Sequence, residues 1–213
     1  LQTIGIPEPI REHFRSLDQT SSKQMDPSDS RYKELPNRFH SAYPLDDSYS
    51  FSPQQRGIGG SYGYPSAVYK VIDKSDSQVY ALRRIDNVRV TPNTSHLGMQ
   101  VTGKWYEVRH PAIVSLYGIS VERNAVFFSH AYYPGAQTLR ERYIDRRDEA
   151  LPEPLIWRIM VQLISGVRLV HQRGMALRNI SASHVILTSG TIARITGSGI
   201  VDMVEAESRK GIA

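Results

Sequence analysis

None of the 213 residues is cysteine, which excludes a disulfide-stapled scaffold, a thiol nucleophile and any thiolate-bound zinc or iron–sulfur centre. No apolar run approaches the roughly 20 residues a membrane helix needs, and the N-terminus carries no signal-peptide pattern. Excess charge is small. The 26 Lys and Arg against 21 Asp and Glu leave +5, which is compatible with a nucleic-acid partner without requiring one. The seven histidines show no His-x-x-x-His or similar spacing, so His110, His130 and His171 read as structural rather than metal-binding. What is present, 40% hydrophobic and 22% charged residues, suffices for one or two globular domains with a core. The composition reads as a soluble, intracellular protein with no membrane partner.

Two regions differ in texture. Pro9 to Leu17 has the spacing of one short helix, with Ile10, Phe14 and Leu17 on one side. From Arg15 to Pro65 the chain is rich in Ser, Asp, Gln, Pro and Gly without a sustained period, and reads as extended or disordered unless another surface holds it. Tyr32, Leu35, Phe39, Tyr43 and Leu45 are its large apolar residues and are expected to anchor it as a strap along a domain. After Ser66, Val68–Ile72 and Val79–Ile85 read as a hairpin. A weak helix around His96–Val108 follows, then strands at Ile113–Tyr117 and Ala125–Tyr132, and a break at Pro134-Gly135. The strongest helix covers Pro154–His171, where Leu155, Ile156, Ile159, Met160, Leu163, Ile164, Val167 and Val170 form a wide apolar stripe. A hairpin at Val185–Ile195 turns on Ser189-Gly190.

This order resembles a protein kinase fold, in which a glycine-rich loop, a strand Lys paired to a helix Glu, a catalytic-loop Asp and Asn, and an Asp-Phe-Gly each have a place. Each place can be checked. The loop Ser61-Tyr62-Gly63-Tyr64-Pro65-Ser66-Ala67-Val68 keeps only the middle glycine, with Gly57, Gly59 and Gly60 as a flexible entry; an ordinary surface hairpin remains an equal reading of this stretch. In Val79-Tyr80-Ala81-Leu82-Arg83-Arg84-Ile85, alternation puts Ala81 and Arg83 on one face, with Arg83 as the cation in place of Lys. The helix Glu falls at Gln100-Val101, where no carboxylate stands. His-Arg-Asp becomes Leu177-Arg178-Asn179, the metal-binding Asn becomes His184, and Asp-Phe-Gly becomes Gly197-Ser198-Gly199. An amide is no general base, and with both metal positions also changed, phosphoryl transfer is expected to be lost. Arg140, Arg142, Arg146 and Arg147 alternate with Glu141, Asp145, Asp148 and Glu149, a self-compensating solvated face or, secondarily, a phosphate-binding patch.

Several stretches are jointly more specific: Leu151-Pro152-Glu153-x-Leu155-Ile156-Trp157, the run Val161 to His171, Ile186-Leu187-Thr188-Ser189-Gly190, Tyr80 to Ile85, Ala131-Tyr132-Tyr133-Pro134, and Ser41 to Leu45. Together they resemble the regulatory pseudokinase subunit of the poly(A)-specific ribonuclease (PAN) deadenylation complex, from about Ile10 to Asp202. The resemblance implies an α+β, protein-kinase-like (pseudokinase) two-lobe fold, with an N-terminal extended strap over 1–50, an N-lobe over 51–133 and the beginning of a C-lobe over 134–213. It implies no catalysis. Bound but not hydrolysed ATP is expected at Arg83, at Ala131, Tyr132, Tyr133, Pro134, Gly135, Ala136, Gln137 and Thr138 of the hinge, and at Ser183 and His184. The implied partners are the catalytic poly(A) nuclease subunit, poly(A)-binding protein and poly(A) RNA, in the cytoplasm and its P-bodies. Only 14 residues follow Gly199, so the C-lobe is expected to be truncated and the chain a fragment, with the family's homodimerising region absent. Two other readings stay open: a pseudokinase scaffold of another pathway, and a divergent active kinase that would recruit Asp202, the nearest acidic residue downstream of Asn179.

Overall fold

The computed structural model describes residues 5–46, 62–122, 124–146 and 150–210, with the backbone alone at Pro92 and 206–210. Gly57, Gly59, Gly60 and Ser61 of the expected loop, and Arg147, Asp148 and Glu149 of the charged run, lie outside the described residues.

The first described helix is α1 (Glu8–Ser22), which runs five residues past Leu17, where the expected helix ends. The extension ends in Thr and Ser, which compete with helical bonding when isolated. Here the hydroxyls of Thr20, Ser21 and Ser22 donate back to the carbonyls of Ser16, Leu17 and Asp18, each at 2.8 Å. The frayed end is then capped from elsewhere. The buried Lys70 ammonium donates to the Ser21 carbonyl at 2.7 Å and to that of Lys23. A cation at a helix C-terminus satisfies orphan carbonyls and complements the dipole, and no local pattern encodes it.

The first lobe is a five-stranded antiparallel sheet of β1 (Phe39–Pro44), β2 (Ser66–Asp73), β3 (Val79–Asp86), β4 (Leu116–Glu122) and β5 (Ala125–Ala131), in spatial order β1-β2-β3-β5-β4. The strap is therefore not a separate layer throughout: its second half is the sheet's first strand, and the first lobe begins at Phe39 rather than near residue 51. A bulge between His40 and Tyr43 puts Phe39 and Ala42, three residues apart, on the buried side. Antiparallel sheets commonly leave one face to water, but this one is covered on both. Met25, Leu35 and Phe39 meet Tyr69, Val71, Leu82 and Phe127 on one face. Ile85, Val126 and Phe128 enter the main core on the other. Of the expected anchors, Leu35 and Phe39 are buried and Tyr32 packs beside them, whereas Leu45 is 39% exposed. Met25 and Ala42 are anchors that their ordinary surroundings in sequence conceal.

Next, α2 (Pro92–Tyr106) starts earlier than the pattern indicates, with Pro92 in its first turn and the Thr91 N–H donating to Thr94 Oγ1 at 2.8 Å. The strand expected at Ile113–Tyr117 is displaced. Residues 112–114 instead cross the seam between lobes, with the Val114 N–H donating to the Ile195 carbonyl and the Ile195 N–H to that of Ala112, both at 2.8 Å. Their apolar run thus belongs to an interlobe core, and β4 follows it.

The second lobe contains β6 (Gln137–Thr138), a π-helical turn (Arg140–Ile144), α3 (Glu153–Gln172), β7 (Val185–Thr188), β8 (Ile192–Ile195) and α4 (Ile200–Lys210). The two short elements after the hinge and α4 have no clear sequence signal. On α3 the expected stripe divides. Ile159, Gly166 and Val170 are buried, and Gly166 allows close approach, since a Cβ there would lie 3.2 Å from Ile113. Ile156, Met160 and Ile164 face outward with Trp157 and Val161.

Candidate functional site

A cleft of about 800 Å³ separates the sheet from the second lobe. Val68 and Ala81 contribute its apolar roof, Ala131, Tyr132, Tyr133, Gly135 and Ala136 its back edge, and Ser183, Ile186, Thr196 and Gly197 its floor. Thr138 lies just beyond the hinge, and Arg83 reaches in from β3 beside Ala81 as alternation requires. The structure thus brings together Arg83, Ser183, Thr138 and most of the hinge. Pro134, Gln137 and His184 do not line the cleft. Gln137 is taken into the β6–β7 pairing opposite Leu187, and His184 stands behind a ring from the loop. The hinge is also less open than expected, because the Ala131 N–H already donates to the Ser115 carbonyl at 2.9 Å. Gly135 turns the chain with φ +68, and a Cβ there would meet Leu17 of α1 at 3.3 Å.

Other lining residues escaped the sequence reading: Thr20 from α1, Tyr43 to Asp46 at the end of β1, Val114 and His130. Most lie far in sequence from the hinge, and only the pairing of β1 and the seam carries them there. Tyr62 lay within the quoted loop, but nothing local says where its ring goes.

Electrostatically, the inner end is cationic and soft. Among the described residues Arg83 forms no ion pair; it approaches Ser66 Oγ at 3.4 Å and lies 5.5 Å from the Tyr62 ring. His130 donates from Nε2 to the Ser198 carbonyl at 3.1 Å, a contact that spans the two lobes. Burial, reinforced by the Arg83 charge, lowers its pKa to about 4 against the opposing pull of its bonds to the Ser198 and Phe128 backbone. His184, bonded through Nδ1 to Ser181 Oγ at 2.8 Å, is lowered to about 4 by the same burial and charge. Its Nε2 is buried with no hydrogen-bond partner among the described residues. Both groups have folded pKa values below the unfolded value of roughly 6.5, so the unfolded chain binds protons more readily. Their stabilising contribution is complete above about pH 6.5 and is lost as pH falls towards 4. Urea midpoints are expected to decline across that window, and His130→Gln is expected to flatten the decline; a midpoint constant from about pH 6.5 to about 4.5 would refute this.

Chemically, the kinase places hold no carboxylate. Gln100 is exposed and paired with His96, and Val101 is buried in the core. Asn179 follows Arg178, whose guanidinium binds Asp202 and Glu205. Asp202 also accepts the Trp105 indole N–H at 2.6 Å, so the acid a rearranged kinase would need is already engaged. The carboxylates that do line the cleft, Asp46, Glu141 and Asp145, accept from Val68 N, Thr138 N and Arg140 Nε respectively. Among the described residues no group of three His, Asp or Glu is arranged to hold a metal. No described helix is long and apolar enough to cross a membrane.

A family model for the protein kinase domain matches residues 54–211. The chain belongs to the protein kinase domain family. Within it, the chain is 33% identical over 197 residues to the PAN2-PAN3 deadenylation complex subunit pan3 of Dictyostelium discoideum, covering 89% of this chain and 26% of that protein. It is 29% identical over 229 residues to the PAN2-PAN3 deadenylation complex subunit PAN3 of Coccidioides immitis, covering all of this chain and 33% of that protein. The Neurospora crassa PAN3 pseudokinase superposes with a TM-score of 0.79 at 23% identity, over 94% of this chain and 48% of that one. The same values hold for a complex of N. crassa PAN2 (WD40-CS1) with PAN3. The kinase-family chain thus spans roughly a quarter to a third of these curated relatives. The expected resemblance to the PAN deadenylation subunit is borne out by these relatives, and the two-lobed α+β architecture by the kinase match and the superpositions.

Proposed function

We propose that the chain acts as a non-catalytic regulatory scaffold of a poly(A) nuclease deadenylation complex and holds ATP without hydrolysing it. One observation carries this reading: a nucleotide-sized cleft with Arg83 inside it has Asn179, His184 and Gly197 where a kinase needs its base and metal ligands. The apolar roof of Val68 and Ala81, the hinge backbone and the Arg83 cation suit a purine and its first phosphate. The relatives named for a deadenylation complex, and the complex of a PAN3 with PAN2, support the catalytic nuclease subunit as partner. Poly(A)-binding protein, poly(A) RNA, a homodimer of the longer protein and a cytoplasmic, P-body location belong to the same reading. Arg140 pairs with Asp145 at 3.2 Å and Arg142 lies 5.0 Å from the Tyr143 ring, which favours a solvated face over an RNA-binding patch for this cluster.

Affinity capture from extract tests the scaffold role. The nuclease subunit and poly(A)-binding protein are expected to be retained, with no transfer from labelled ATP to a generic substrate; retention of neither protein would point to another pathway. For the nucleotide, Arg83→Ala removes a charge-assisted bond worth about 1.5–3 kcal/mol, so ATP affinity is expected to drop roughly 10- to 150-fold. Chelating magnesium is expected to change it little, because the metal positions carry no carboxylate. Calorimetry showing strict magnesium dependence, or an unaffected Arg83→Ala, would refute this placement.

A further inference from the structure

At its inner end the cleft is lined by Arg83 and Gly197. The Tyr62 ring stands there, with its centroid 4.9 Å from that of His184 and tilted by 56°, and the Arg83 guanidinium lies 5.5 Å from it. Its hydroxyl reaches the bare backbone of Gly197: a Cβ on that residue would lie 2.0 Å from Tyr62 Oη and 3.1 Å from Cζ. The ring packs against the main core, so it is held in this position by apolar contact as well as by the cation on its face. Arg83, His184 and Gly197 are the three groups a polyphosphate running inward from a hinge-bound purine would approach, and one side chain lies against all three.

We propose that Tyr62 plugs the phosphate end of the cleft, so that the protein admits a purine nucleoside monophosphate directly and a triphosphate only by displacing this ring. The inference rests on the nucleotide reading of the cleft and adds its selectivity. Glycine at 197 is what gives the plug room, since any side chain there would collide with it. The plug is also built to be displaced. Tyr62 Oη is buried without a hydrogen-bond partner among the described residues, and burial raises its pKa. A buried hydroxyl left unpaired offsets part of the packing gain, which holds the ring in place less firmly than a phenylalanine would be held.

Titration calorimetry with AMP and with ATP, both in chelator, tests this on wild type, Tyr62→Ala and Tyr62→Phe. Burying an aromatic ring contributes about as much as a 10- to 100-fold change in affinity. Tyr62→Ala is therefore expected to tighten ATP binding roughly 10-fold or more, with AMP changed less than about threefold. Tyr62→Phe, which keeps the ring and removes the unpaired hydroxyl, is expected to weaken ATP several-fold and leave AMP as it was. AMP binding also reports that each variant is folded. An ATP-to-AMP affinity ratio equal in all three proteins overturns the plug while leaving the nucleotide cleft standing. Failure of AMP and ATP to bind any of the three overturns the cleft reading itself, and the plug with it.

Discussion

Trp105→Ala is expected to destabilise the protein by about 3–5 kcal/mol, the usual range for truncating a buried tryptophan. Trp105 is 2% exposed in the main core and lies near the end of α2, where α2 and α4 meet. Its ring packs beside Gly199 at the seam, and its indole N–H donates to Asp202 of α4 at 2.6 Å. Asp202 in turn binds Arg178, so the indole completes a link from the first lobe to the former catalytic loop. Trp105→Phe separates the two contributions. It keeps most of the packing and removes the bond to a carboxylate that is about a third exposed, a loss of about 1–2 kcal/mol because water takes over part of it. Urea unfolding followed by circular dichroism measures both. Fluorescence gives an independent check: the only other tryptophan, Trp157, is 64% exposed, so most of the emission shift on unfolding should vanish in Trp105→Phe. A loss below about 1.5 kcal/mol for Trp105→Ala would mean that the interlobe core does not depend on this ring.

Gly199→Ala is expected to cost about 2–5 kcal/mol, although it adds a single carbon. Two penalties combine. The backbone has φ +82, a left-handed conformation that costs an L side chain about 1–2 kcal/mol. The new Cβ would also lie 2.8 Å from Leu116 and 3.1 Å from Val101, both in the core, and overpacking typically costs about 1–3 kcal/mol. Gly190→Ala is the control. Gly190 also has positive φ, +75, at the tip of the β7–β8 hairpin, but a Cβ added there would meet no described atom within 4 Å, so only the backbone penalty of about 1–2 kcal/mol applies. Urea midpoints for the two variants should differ clearly. Equal losses would show that Leu116 and Val101 yield freely, and that the third position of Gly197-Ser198-Gly199 is glycine for its backbone alone.

Local sequence determined a good deal of this protein. The hairpins at Val68–Ile85 and Val185–Ile195, the long helix after Pro152 and the break at Pro134-Gly135 follow from alternation, helical spacing and turn chemistry between near neighbours. The alternation that sends Ala81 and Arg83 into one cleft is equally local, and the replacement of the kinase pattern's base and metal ligands by Asn179, His184 and Gly197 is legible without coordinates. Tertiary structure decided the rest. Whether Thr20 to Ser22 stay helical depends on Lys70, a partner nearly 50 residues away. Whether Phe39–Pro44 is a strap or a strand depends on the free edge of β2 that pairs with it. Ile113 looks like strand but serves the seam because Ile195 receives it there. Where the Tyr62 ring goes is likewise not local: it lies beside Arg83, His184 and Gly197, all far from it in sequence. Periodicity records which side of an element is apolar, through interactions within a few residues. It carries no record of which distant surface will cover that side, since that choice is made only when the whole chain packs.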